Sequence, residues 1–163
     1  MAQIETEGFK FNFPLAKALL KFDQQDKTKP DFHILHAEMK AVDFIAELLD
    51  KDLYVEIKDF QNKHTKELAS PNLEHLLESL KYKYRDTFLY RYGQDKVNNP
   101  ILYICLMEHL DRRLLMQLQK RLCMSIPSGI INGWKKEILR DIIVIDEKGW
   151  NTTLSTIGNV RKI

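Results

Sequence analysis

A mixed α/β fold, with a central mixed β-sheet flanked by helices on both faces, is predicted from three features of the sequence. Residues 40–50 and 53–60 are alternating apolar–polar runs joined by the polar turn DKD, which predicts a β-hairpin. Residues 72–92 carry Leu73, Leu76, Leu77, Leu80, Tyr84 and Phe88 at three–four spacing, which predicts an amphipathic helix. The run ILYICLM, 101–107, is apolar on both sides and bounded by turn residues, as a strand covered on both faces would be. Helices alternating with strands in this way argue for helices packed on a sheet.

In chain order, PLAKALLKF (14–22) reads as a first helix. Pro14 suits a first helical position, and Leu15, Leu19 and Phe22 fall at helical spacing. The polar stretch DQQDKTKPD breaks it, and residues 33–37 read as a strand. The hairpin follows. Ser70 then offers an N-cap and Pro71 a first residue for the helix that Gly93 ends. After ILYICLM, Leu110, Leu114, Leu118 and Leu122 repeat every four residues, a further helix to about Cys123. Pro127, Gly129 and Gly133 interrupt the chain, Trp134 to Arg140 reads as a short helix, and IIVID (142–146) as a strand. Glu147-Lys148-Gly149 reads as a turn into a last extended piece.

The 163 residues, 44% hydrophobic and 29% charged, suit one domain (1–163) with a substantial core. Within it, 14–107 form the core motif and 108–163 a helix plus a C-terminal extension. The formal net charge of +2 neither demands nor excludes nucleic acid. Charge is uneven, however: residues 31–60 carry eight acids and three lysines, residues 111–140 seven basic residues and two acids. One acidic and one basic pole fit a cation site beside a surface for an anionic polymer, or two solvated faces. MAQIETEGFK has no apolar signal-peptide core, and the longest apolar run is far below the ~20 residues of a membrane span. Cytoplasmic location without membrane contact is expected, with Cys105 and Cys123 as reduced thiols. The tripeptide Asn151-Thr152-Thr153 is read as a chance match to a glycosylation acceptor.

In the hairpin, directly paired residues share a face. A two-residue turn at Asp50-Lys51 sets Asp43 opposite Lys58 and Ile45 opposite Glu56, and moving the turn by one residue keeps the same residues on each face. Asp43, Glu56 and Lys58 therefore converge. The opposite face carries Val42, Phe44, Ala46, Leu48, Leu53, Val55 and Ile57 and reads as core. An amphipathic hairpin with one wet face alternates in the same manner, and Glu47 and Tyr54 on the charged face suit that reading. Ala41, Ile45, Leu49 and Phe60 on that face do not. If helices cover it, three ionisable groups lie near a dry interface, where charges are costly unless paired or bound to metal. Two neighbouring carboxylates suit a hard divalent cation, and an amine two residues along the same strand points the same way.

These residues resemble the PD-(D/E)XK nuclease superfamily, the restriction-endonuclease-like fold with core order α-β-β-β-α-β. Its hallmark is an acid at the start of one core strand and (D/E)-x-K in the next. Here these are Asp43 in AVDFIAELL and Glu56-Ile57-Lys58 in LYVEIKDF, with Val42 where the family has its leading Pro. The resemblance covers residues 14–107. It implies Mg2+ (or Mn2+) held by Asp43, Glu56 and the backbone carbonyl of Ile57, with Lys58 assisting the attacking water. The implied activity is hydrolysis of phosphodiesters in nucleic acid, DNA before RNA. The alternative is a catalytically inactive relative that binds nucleic acid or protein. The Glu that many members carry on the first helix is missing, and Glu38 is the candidate substitute. Gln61 is a candidate accessory, against the plainer reading of a solvated strand end.

Lys81, Lys83 and Arg85, interleaved with tyrosines, and Arg112 and Arg113 could grip phosphates. The competing reading is the solvated side of two helices. The leucine ridge of the third predicted helix (Leu110, Leu114, Leu118 and Leu122) suits a partner surface or a homodimer. The histidines have neither the number nor the spacing of a zinc site, and no phosphate loop or nucleophile elbow is present.

Overall fold

The computed structural model describes residues 2–30, 32, 38–61 and 73–163. Three helices and two sheets make up the described chain. In order they are β1 (Ala2–Thr6), β2 (Phe9–Phe13), β3 (Ala18–Lys21), β4 (Phe44–Glu47), β5 (Asp52–Asp59), α1 (Glu74–Gly93), β6 (Ile101–Glu108), α2 (Arg112–Ser125), β7 (Leu139–Ile145), α3 (Glu147–Thr153) and β8 (Asn159–Lys162). The predicted strand at 33–37, and Ser70 and Pro71, lie outside the described residues.

The central sheet is mixed and five-stranded, in the order β3-β4-β5-β6-β7. β3, β4 and β5 form an antiparallel meander, and β6 and β7 run parallel to β5. Parallel neighbours need a crossover, and such crossovers are right-handed. α1 links β5 to β6 and α2 links β6 to β7, both steps moving the same way across the sheet. Two right-handed crossovers in one direction place both helices on one face. There Leu76, Leu80, Leu118 and Leu122 bury against Ile45, Tyr54, Tyr103 and Cys105.

The other face is covered differently from the expectation of helices alone. The first and last strands form a three-stranded antiparallel sheet, β1-β2-β8, that packs on it with the short helix α3. FKFNF alternates, so Phe9, Phe11 and Phe13 all point inward. Trp150 of α3 meets Phe11 edge-on at 5.3 Å, and Phe11 lies 4.8 Å from Phe44. Its indole N–H donates to the Gly158 carbonyl at 3.0 Å. A β-carbon on Gly158 would stand 2.5 Å from a Phe13 ring carbon, so glycine is what lets the chain pass there.

Four expectations are corrected. Residues 14–22 are not a helix: Leu15 is exposed, and Ala18–Lys21 pair with β4. Leu19 and Leu20 pack into opposite cores, as successive strand residues must. Trp134 to Arg140 is not a helix either, since the chain is irregular to residue 138 and β7 begins at Leu139. Glu147-Lys148-Gly149 is the first turn of α3, capped by Asp146, whose Oδ1 accepts the Gly149 N–H. Val42 packs with the α1 face, not with Phe44. No helix among the described residues is long and apolar enough to cross a membrane.

Candidate active site

The hairpin turns through four residues, Leu48 to Lys51, so the register differs from both predicted ones. Phe44 faces Val55 and Glu47 faces Asp52. Extending this by one residue sets Asp43 opposite Glu56 instead of Lys58. The parity is unchanged, so Asp43, Glu56 and Lys58 still share the α1 face. The structure thus brings the three residues together.

Asp43 is clamped from three sides just before β4. The Val42 N–H donates to the buried Thr87 hydroxyl of α1 at 3.0 Å, and the Lys40 N–H to Asp86 at 2.8 Å. The Asp43 carbonyl accepts the Phe22 N–H at 3.0 Å. Its carboxylate Oδ2 accepts the Ile57 N–H at 2.6 Å. The N–H and C=O of one strand residue face the same neighbour. The Ile57 carbonyl is therefore on the Asp43 side, beyond the last β4–β5 pair.

Glu56 is fully buried. Its Oε1 forms ion pairs with Lys58 Nζ at 2.6 Å and Lys83 Nζ at 2.7 Å. Its Oε2 is buried with no hydrogen-bond partner. Lys83 Nζ also lies 3.7 Å from Asp43 Oδ1, so one cationic group touches both carboxylates. Lys83 was expected on a phosphate-gripping surface; its amine is instead drawn into the acidic centre, because Glu56 and Asp43 are the nearest counter-charges to a largely buried ammonium.

Two further acids complete the centre. Carboxylate oxygens of Glu7, Asp23 and Asp43 lie within 4.8 Å of one another. Glu7 belongs to the β1–β2 turn, and Asp23 follows β3. Glu38 is exposed, and the acids whose oxygens lie beside Asp43 are Glu7 and Asp23. Four carboxylates therefore gather near three amines, those of Lys21, Lys58 and Lys83. The electrostatics reflect it. Burial, then the Glu56 charge, pushes the Asp43 carboxyl well above its usual range, against Lys83 and Lys58. Burial likewise raises Asp23, against Lys21 and Lys83. Burial works against the Lys83 charge, but Glu56 and Asp43 outweigh it and its pKa is raised.

An all-oxygen donor set with a negative excess, an unpartnered buried Glu56 oxygen and a second one on Asp23 fits a hard divalent cation. The acids whose oxygens lie close enough together to share a cation are Glu7, Asp23 and Asp43, with Glu56 beside them and held by Lys58 and Lys83.

Other predicted residues lie elsewhere. Gln61 is exposed and accepts from Lys162 Nζ at 3.4 Å, so it belongs to the surface. Lys81 pairs with Glu78 at 2.8 Å. Arg85, Arg112 and Arg113 are exposed, the last two opening α2 beyond its Asp111 cap. Comparison with protein-family models, with curated proteins and with solved structures finds no match to this chain.

Proposed function

We propose that this protein is a Mg2+-dependent (or Mn2+-dependent) nuclease that hydrolyses phosphodiesters in nucleic acid, with DNA as the first substrate to test. The observation that carries the reading is the burial of Glu56 with Asp43, Lys58 and Lys83 at one end of the hairpin. Enclosing ionisable groups together costs stability, and clusters of this kind concentrate at functional sites. The scaffold supports it: an antiparallel meander, a crossover helix and a parallel strand, with the acid leading one strand and E-x-K in the next. That is the arrangement the resemblance implies, without its leading helix among the described residues.

A bound divalent cation would polarise a phosphoryl oxygen and acidify a water. Asp43, Glu56 and the Ile57 carbonyl would hold it. Lys58, whose side chain is about one-fifth exposed, reaches the rim of the site and would orient the attacking water and steady developing negative charge. Lys83 balances the carboxylates from within.

A second reading is an inactive nucleic-acid-binding or protein-interaction module. It is favoured by one observation: two amines already neutralise Glu56. Titrating Mn2+ into the protein by calorimetry, and assaying Mg2+-dependent cleavage of labelled DNA, separates the two. The nuclease reading expects Mn2+ binding that Asp43→Asn removes, and cleavage that Lys58→Ala lowers by at least about a hundredfold while DNA affinity stays within about twofold. Wild-type protein that neither binds Mn2+ nor cleaves would overturn it.

A further inference from the structure

A groove runs beside the free edge of β3, at the opposite end of the hairpin face from Glu56. It consists of two pockets of about 360 and 190 Å3 that share Glu47, Arg91 and Lys96. Lys21 and Phe22 line the larger, Lys17, Asp52 and Asn99 the smaller. Arg91 is 4% exposed, and its Nη2 pairs with Glu47 at 2.5 Å. Its Nε is buried with no hydrogen-bond partner. That pair cancels, which leaves Lys17 and Lys96 against Asp52 alone, with Lys21 at the end of the groove nearest Asp23. Asp52 is itself nearly buried and accepts from Asn99 at 3.3 Å. The groove is therefore cationic, with an under-satisfied guanidinium in its wall.

Its direction matters as much as its charge. β3 (Ala18–Lys21) lies between Lys17 and Asp23, and Asp23 stands in the acidic centre. The four strand residues span about 13 Å. We infer that this groove is the binding track for one unpaired nucleic-acid strand, its phosphates on Lys17 and Lys96, leading along β3 to Asp43 and Glu56. The inference rests on the nuclease reading and names the substrate class: single-stranded nucleic acid, or a single-stranded segment of a larger one. Two pockets of about 360 and 190 Å3 suit one strand rather than a duplex. Cations that track a backbone hold single strands without sequence preference, and the groove here is floored by the buried Phe22.

The test uses the full chain in EDTA, so that neither cleavage nor metal loading enters the measurement. A labelled single-stranded oligonucleotide and the blunt duplex of the same sequence are titrated by fluorescence anisotropy at several salt concentrations. The single strand should bind at least about tenfold more tightly than the duplex. The doubly charge-reversed variant Lys17→Glu/Lys96→Glu, changed at two exposed positions, should lose at least about tenfold in affinity. Its logarithmic salt slope should fall by about 1.4, two single-strand phosphates at about 0.7 each. Circular dichroism and the melting temperature check that the variant is folded, and Lys17→Ala/Lys96→Ala should fall between it and the wild type. Equal affinity for duplex, or an unchanged slope in the folded variant, overturns the inference even where Mg2+-dependent cleavage is found. Selective single-strand binding without cleavage supports the groove and removes only the nuclease reading.

Discussion

Replacing Lys83 by Met tests whether the acidic centre is held together by charge. The perturbation removes an ammonium 2.7 Å from Glu56 and 3.7 Å from Asp43 and keeps the aliphatic bulk. At an effective dielectric of 20 those separations correspond to gross attractions of about 6 and about 4.5 kcal/mol. Two effects reduce the net. Lys83 no longer has to be desolvated, and Lys58, 2.6 Å from Glu56, continues to neutralise it. Breaking a buried pair on one side costs about 3–5 kcal/mol; with Lys58 remaining, about 2–4 kcal/mol is expected. For a chain of this length that lowers Tm by about 5–15 °C. Urea denaturation in EDTA, on wild type, Lys83→Met, Glu56→Gln and the double variant, gives the cycle. In the Glu56→Gln background Lys83→Met should cost no more than about 1 kcal/mol, a coupling of at least about 1 kcal/mol. Equal cost in both backgrounds would refute the reasoning, because Lys83 would then act through its packing alone.

Two further predictions concern pH and the free edge of the sheet. Asp43 has a folded pKa above the ordinary ~3.9 of the unfolded chain, so the folded state binds its proton more tightly. Metal-free stability should fall as pH rises from about 4 through that raised pKa, Asp23 acting in the same sense, and Asp43→Asn should flatten much of this slope in urea titrations. An identical slope in the variant sinks the assignment. Asp59 has the opposite sign: burial alone would raise it, but hydrogen bonds from Lys162, the Gln61 N–H and His109 hold it at about 2, so its contribution is lost only as pH falls below about 4. At the β7 edge, Gln119 Nε2 donates to the Ile142 carbonyl and its Oε1 accepts the Val144 N–H, both at 2.6 Å, as a neighbouring strand would. Gln119→Ala should cost about 1–2 kcal/mol and promote self-association, read by light scattering against concentration. A variant that stays monomeric with unchanged stability argues that the edge needs no such cap.

The elements that were legible in the sequence are those whose periodicity outlasts a few residues. α1 and α2 show leucines at three–four spacing over several turns, and β6 is apolar throughout. β3 was misread because four residues cannot distinguish a strand from a helical turn. In Ala18–Lys21 the leucines at 19 and 20 serve two cores on opposite faces, and that signal exists only once both covers are known. β2 was open to reading, since FKFNF alternates without exception. What the sequence could not supply was its partner: β8 lies at the far end of the chain, and antiparallel pairing of the two termini has no local signal. The site divides the same way. Asp43, Glu56 and Lys58 share a face in any register of the same parity, so the error in turn length did no harm. Glu7, Asp23 and Lys83 reach the centre through tertiary packing, and nothing in their spacing marks them.

The two charged clusters on this face are in step through the geometry of α1. Lys83 and Arg91 are eight residues apart, about 12 Å along a helix. Asp43 and Glu47 are four residues apart, about 13 Å along a strand. The helix thus sets one cation over each end of the strand, Lys83 at Asp43 and Arg91 at Glu47. Between them Thr87 takes the Val42 N–H, and Tyr84 packs 6.3 Å from Tyr54. Sliding α1 to relieve one cluster would break the other and strip a buried hydrogen bond between. The acidic end can therefore shed its excess charge in only two ways, by taking up protons or by taking in a cation. Proton uptake leaves Lys83 facing neutral acids, whereas a divalent cation keeps every carboxylate ionised. On the proposed reading, a fixed helix over a negative centre would let a cation load without a change of fold, and proton uptake by Asp43 and Asp23 is the competing response.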